Sequence, residues 1–199
     1  MKIDEIKCAA LKHIAEKGLF NTSLQDIAQD VSLNKATLYF YFNNKTDLYL
    51  ALLQDCADLY LDIVNKALDE NIEKESLEIV LKNIFLALAN DLPKDSFLLW
   101  NEAVRITSSG VDEDLYKGLR KIIDNFNDSL FGILANLVTR YMPIFSDNLI
   151  CLLESYKMFI NGFLERKAIN IEETEDESIK MAGCLWDNFW RGADKVTIL

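Results

Sequence analysis

The sequence predicts an all-α protein of about nine helices, in which three short N-terminal helices precede a larger helical body. Three observations carry this expectation. Only seven of the 199 residues are glycine and two are proline, too few for the punctuated turns that a many-stranded fold requires. Apolar residues recur at i, i+3 and i+4 through most of the chain. Several of these amphipathic stretches open on Ser, Asn, Asp or Thr, whose side chains accept the unsatisfied N–H groups of a helix start.

The first helix is expected over about Ile3 to Lys17, with Ile6, Ala9, Ala10, His13 and Ile14 on its inner face and Gly18 as its stop. Ser23, with Asp26 three positions on, opens a second helix that buries Leu24, Ile27, Ala28 and Val31. After a break at Ser32-Leu33, Asn34 caps a third short helix, Lys35 to Tyr41, propped by Leu33, Leu38 and Phe42. Asn44 and Asp47 cap a fourth that runs to about Asp69. Further helices are expected over about Leu77 to Asn90, from an Asp91-Pro93 start to Ile106, from Asp112 to Tyr141, from Ser146 to Lys167, and from Thr174 to Arg191. Thr107-Ser108-Ser109-Gly110 is the clearest loop, and Pro143 ends the longest helix. Along that helix Leu115, Leu119, Ile122, Phe126, Ser129, Ile133 and Asn136 step by four and three.

Composition excludes several functions. The four cysteines, Cys8, Cys56, Cys151 and Cys184, are dispersed, and with His13 as the single histidine no zinc-ligand spacing exists. The thiols are expected to be reduced and to act as small core residues. No apolar run reaches the roughly 18–20 residues of a membrane span, and Met1 to Glu5 lead into no signal-peptide apolar region. A soluble, cytoplasmic protein with no cofactor and no membrane partner is the expectation. No Gly-rich phosphate loop and no GxSxG elbow is present, so an enzyme is not expected.

The net charge of −11 is unevenly spread: residues 1–50 hold six lysines and six acidic residues, and the rest carries the whole excess. A neutral head on an acidic body does not forbid phosphate contact, because charges beyond about 8 Å are largely screened at physiological salt. The head has few cations with which to release counterions.

Residues 24–42 pair two short amphipathic helices across a tight turn, with a supporting helix before them: a helix-turn-helix arrangement. In Ala9-Ala10, Glu16-Lys17-Gly18, Thr22-Ser23, Asp26-Ile27-Ala28, Thr37-Leu38-Tyr39, Phe42 and Lys45 the stretch from Ile6 to Leu52 resembles the TetR family of transcriptional regulators. The resemblance implies a homodimer that binds a near-palindromic double-stranded DNA operator, with the third helix reading bases and a small-molecule effector bound in the C-terminal domain. By position it implies DNA contacts from Thr22, Ser23, Asn34, Lys35, Ala36, Thr37, Tyr39, Tyr41 and Lys45. Tyr39 and Lys45 fall to phosphate, while Lys35, Ala36 and Thr37 fall to base edges. Three positions depart from the family: Ser32 replaces the turn glycine, Tyr41 replaces a histidine, and His13 stands where an aliphatic residue is usual.

Residues 1–46 are thus expected to form the DNA-binding domain and 47–199 the regulatory and dimerisation domain. Leu153, Tyr156, Ile160 and Phe163 on one late helix, and Leu185, Trp186 and Phe189 on the next, form stripes suited to a four-helix dimer contact. Gly162 and Gly183 would permit close helix approach there. Trp100, Glu102, Phe126 and Ser129 are the candidate effector contacts, and the acidic body invites a cationic ligand. The rival class is a helical small-molecule carrier or adaptor with an idle head; it would bind its ligand without residues 1–45 and ignore DNA.

Overall fold

Residues 2–69, 75–107, 112–141, 147–169 and 174–197 are described in this computed structural model, and every regular element among them is a helix. In chain order these are α1 (Lys2–Lys17), α2 (Leu24–Asp30), α3 (Lys35–Leu38), α4 (Lys45–Asp69), α5 (Leu77–Asp91), α6 (Lys94–Ile106), α7 (Glu113–Tyr141), α8 (Asp147–Ile169) and α9 (Glu175–Thr197). The expected loop at Ser108–Gly110, the Pro143 stop and the Ser146 start lie outside the described residues.

Local chemistry sets most boundaries. Ser23 Oγ accepts the Asp26 N–H at 3.1 Å, Asn34 Oδ1 that of Thr37 at 2.7 Å, and Asn44 Oδ1 that of Asp47 at 2.7 Å. At the start of α9 a reciprocal box forms: the Thr174 N–H donates to Glu177 Oε2 at 3.0 Å, and the Glu177 N–H to Thr174 Oγ1 at 3.4 Å. Three expected boundaries move, one being the end of α9, which reaches Thr197 instead of about Arg191. Asp91 closes α5 instead of capping α6, whose N-cap position falls to Pro93 with no side-chain bond. The third helix stops at Leu38, and residues 39–41 continue as tight turns.

The chain forms two compact units, residues 1–58 with 93–125, and residues 59–92 with 126–199. The three-helix head thus shares its unit with the first half of α4, with α6 and with the start of α7. Ile6, Ala10 and Ile14 of α1, Ile27 and Ala28 of α2, and Leu38 share one apolar cluster with Leu48, Leu52 and Leu53 of α4, Leu99 and Ala103 of α6, and Leu115 and Leu119 of α7. Gly118 of α7 lies against Leu50 of α4 so closely that a Cβ there would collide with the leucine side chain.

In the second unit, Val80, Leu81, Ile84, Phe85 and Leu88 of α5 are buried together with the inner faces of α8 and α9. The Phe85 and Trp186 rings stack at 6.0 Å, those of Phe159 and Phe189 at 4.6 Å, and Tyr156 OH donates to the Leu81 carbonyl at 2.6 Å. This corrects the expected dimer stripe. Leu153, Tyr156, Ile160, Phe163 and Trp186 are at most 3% exposed within their own chain and have no surface left for a partner. Leu185 and Phe189 are half-buried. On the outer face of α8, Cys151, Ser155, Met158 and Gly162 are exposed, and a Cβ on Gly162 or Gly183 would meet nothing within 4 Å.

The long α7 stripe also shifts. Its buried stripe runs through Leu115, Leu119, Ile123, Phe126, Leu130, Leu134 and Leu137, stepping by four, four and three, with Val138 buried beside it. The expected steps of four and three follow a 3.5-residue repeat, from which an ideal helix drifts by about 20° per heptad. Ser129 and Asn136 are consequently exposed. Of the cysteines only Cys56 is buried; Cys8, Cys151 and Cys184 are exposed. Burial pushes the Cys56 thiol up to about 11.

Candidate nucleic-acid interface

The loop between α1 and α2 is built from both sides. Gly18 ends α1 at a φ of +79°, and a Cβ there would approach Glu102 Oε1 to 3.0 Å, so glycine serves both the left-handed backbone and the close carboxylate. Glu102 of α6 accepts the Leu19 N–H at 2.8 Å. Lys45 Nζ, at the start of α4, donates to the Leu19 carbonyl at 2.8 Å and to the Thr22 carbonyl at 3.1 Å. The Leu19 backbone is thereby held at both ends, its N–H by a carboxylate and its carbonyl by an ammonium. Partial burial raises the Glu102 carboxyl above its usual range, against the lowering effects of the Leu19 N–H, Arg105 and Lys45. Thr22 is buried, and its hydroxyl donates to the Gly18 carbonyl at 2.9 Å.

Three expectations change at this point. Lys45 spends its ammonium on loop carbonyls, Thr22 spends its hydroxyl on the Gly18 carbonyl, and Glu102 holds the loop. A lysine at a helix start reads from sequence as a phosphate donor, but partners more than 20 residues away are invisible there.

The turn between α2 and α3 follows from Ser32, which takes a φ of 53°, the left-handed value expected of the absent glycine. Its N–H reaches the Gln29 carbonyl at 3.0 Å, and the Leu33 N–H reaches that of Ala28 at 2.8 Å. His13 gains a partner that the sequence did not reveal: its Nε2 lies 2.7 Å from Asp30 Oδ2, joining α1 to α2. Lys17 can only donate, so Nδ1 accepts from it at 3.3 Å and Nε2 carries the proton to Asp30.

Leu38 and Phe42 anchor the recognition segment in the core. Around them Asn34, Lys35, Ala36, Tyr39 and Tyr41 are exposed and Thr37 is half-exposed, so six of the expected DNA contacts lie on one accessible segment, while exposed Ser23 stands apart at the start of α2. Asn34 Oδ1 accepts both the N–H and, at 2.9 Å, the hydroxyl of Thr37, which fixes that side chain. Phe40 was not among the expected contacts, yet it is 88% exposed, and Phe20 is 63% exposed. Apolar patterning could have flagged Phe40: it lies two residues from each of the buried props Leu38 and Phe42, off their shared face.

Of the remaining effector candidates, Trp100 packs half-buried against the first unit's apolar cluster. Phe126 is buried in the second unit, its ring edge-on to Tyr60 at 5.1 Å. Ser129 is exposed on α7. No described helix is long and apolar enough to cross a membrane.

Residues 8–52 match the family described as bacterial regulatory proteins, tetR family. Over 83 residues the chain is 31% identical to IcaR of Staphylococcus epidermidis, the HTH-type negative transcriptional regulator of the biofilm operon icaADBC; the match covers 41% of this chain and 45% of that one. The chain therefore spans less than half the length of this relative. Among solved structures, FadR of Bacillus subtilis in complex with stearoyl-CoA superposes with a TM-score of 0.60 at 18% identity, covering 94% of this chain and 96% of that one. GusR of Salmonella enterica superposes with a TM-score of 0.68 at 17% identity, covering 98% and 94%. At these identities the structural likeness is one of fold.

Proposed function

From the match of residues 8–52 to the tetR family of bacterial regulatory proteins and the partial likeness to IcaR, we propose that this chain is a TetR-family, ligand-responsive transcriptional repressor, without catalytic activity, acting in the cytoplasm on a near-palindromic operator. The observation that carries this is the coincidence of the family match with a recognition segment whose Lys35, Ala36, Tyr39 and Tyr41 are exposed around a core-anchored Leu38. Phosphate contacts fall to Tyr39, Tyr41 and Ser23, and base contacts to Lys35, Ala36 and Thr37, with Asn34 holding Thr37 in place. Residues 1–46 make these contacts, and residues 47–199 supply dimerisation and effector binding.

Two copies associate through the outer faces of α8 and α9, where Ser155, Met158 and Gly162 are exposed and Leu185 and Phe189 are half-buried. The open space above Gly162 and Gly183 supports a close helix approach from a second copy. Dimerisation sets the two recognition segments about 34–36 Å apart, one turn of the duplex. An effector acts by binding one conformation of the dimer better than another, which changes that spacing. The stearoyl-CoA of the B. subtilis FadR structure supplies a first compound to screen, and the acidic body supplies the reason to include cationic ones.

The test is fluorescence anisotropy on the upstream intergenic DNA at about 50 and 200 mM salt, with wild type beside Tyr39→Ala Lys35→Ala. Competitor-resistant, salt-sensitive binding by wild type alone is expected. Equal binding by both proteins there, followed by no enrichment from a random DNA pool, overturns the reading in favour of a carrier.

A further inference from the structure

The recognition segment has an unusual chemical balance. Phe40 is 88% exposed, the most exposed of the large hydrophobic side chains, and it carries no group that could bond a phosphate or a base edge. Its N–H bonds to the Thr37 carbonyl at 3.2 Å, a bond to the third residue back, which brings side chains three apart into line. Phe40 and Thr37 therefore stand as neighbours, and Ala36 lies one helical turn before Phe40.

The Thr37 hydroxyl proton is committed to Asn34 Oδ1 at 2.9 Å, and the same oxygen takes the Thr37 N–H. What Thr37 has left to offer a base is its methyl group and the acceptor lone pairs of its hydroxyl oxygen. Three contributors within one helical turn, Ala36, Thr37 and Phe40, thus present an apolar ridge, with Lys35 as the one cation of the segment. In the major groove a single base edge offers an apolar partner, the C5-methyl of thymine.

Resting on the regulator reading, we infer that this head selects its operator half-site chiefly through thymine methyl groups, packed against Ala36, Thr37 and Phe40, with Phe40 as the specificity-determining side chain. Lys35 is the one charged donor the segment brings to hydrogen-bonded readout. The operator half-site consequently contains at least two thymines within the base pairs that the segment covers, and their exchange for cytosine is rejected for want of the methyl.

The experiment begins with selection of the preferred site from a random duplex pool by the full chain. Each thymine of that site is then replaced singly by deoxyuridine, which removes only the C5-methyl and leaves every hydrogen-bonding edge intact. Wild type is expected to lose about fourfold in affinity at each methyl read, the value of one buried methylene-sized group. Phe40→Ala, a substitution at an exposed position, is expected to keep the thermal midpoint and to bind thymine and uracil equally at one or more of those positions. Tight wild-type binding that tolerates uracil everywhere overturns the inference. So does a Phe40→Ala variant that weakens evenly on all sites with its uracil sensitivity intact, since Phe40 would then pack on sugar and phosphate. A failure to select any site sinks the regulator reading itself, and is told apart by the absence of a preferred sequence at the first step.

Discussion

Ser32 and Lys45 show how much of the head's architecture rests on single side chains. Ser32 takes a φ of 53° with a Cβ that crowds its own backbone, a cost of about 1 kcal/mol that glycine avoids. Ser32→Gly is expected to stabilise the chain by about that amount, read as a rise of roughly 2–4 °C in thermal midpoint, with operator affinity unchanged. Lys45 Nζ serves the Leu19 and Thr22 carbonyls. Lys45→Met keeps the stem and removes these charge-assisted bonds, so it is expected to cost about 2 kcal/mol in denaturant unfolding. The slope of log affinity against log salt should stay as it is; a slope flatter by about one would instead place the ammonium on a phosphate. At this scale the sequence was legible where chemistry is local. The caps Ser23, Asn34 and Asn44 bond within three residues of themselves, and the strain at Ser32 follows from the residue type alone. The Glu102–Leu19 bond joins residues 83 apart, and no local pattern announces it.

Helices became legible in proportion to how many turns they repeat their pattern, and less so in the phase of that pattern. The extents of α1, α4 and α5 follow directly from their spacing, while α3, with four residues, is too short to display a period. For α7 the direction of the stripe was right and its phase drifted. A 3.5-residue repeat and the true helical period agree at Leu115 and Leu119, first part at Ile123, and from Leu130 onward stay one residue apart, which makes exposed Ser129 read as internal. The stripes on α8 and α9 were correctly apolar, but periodicity alone cannot tell whether a face packs on its own chain or on a second copy. Glu102 gives α6 a pH-dependent role within the first unit. Burial raises its carboxyl in the folded chain, so the native state holds the proton more tightly than the unfolded state. Its contribution is full below the unfolded value and is lost as pH rises through the folded one. Glu102→Gln keeps an oxygen for the Leu19 N–H and cannot ionise. The thermal midpoint of this variant relative to wild type is expected to climb between pH 4 and pH 7; a flat difference would mean that the carboxylate is not penalised there.

At the scale of the whole molecule, charge distribution sets how the proposed regulator would meet DNA. Of the six lysines in residues 1–50, Lys2, Lys7, Lys17 and Lys45 already bond within the chain, which leaves Lys12 and Lys35. Two available cations per head, doubled in a dimer, predict a salt slope of only about −4. Titration of operator affinity against potassium chloride measures it, and a slope near twice that value would require lysines to exchange their internal partners for phosphates. Such a shallow slope leaves discrimination to shape and apolar fit, consistent with a recognition segment that carries one lysine and three exposed aromatic rings. The thiols, finally, make the chain its own reporter. Cys8 sits exposed on α1, Cys151 and Cys184 sit exposed on the two helices proposed to pair, and Cys56 is buried with its ionisation suppressed. A maleimide added to the native protein therefore samples separate events on one time axis. Cys8 sets the reference rate, slowed labelling of Cys151 and Cys184 times the lifetime of the paired state, and the late fourth label counts openings of the core.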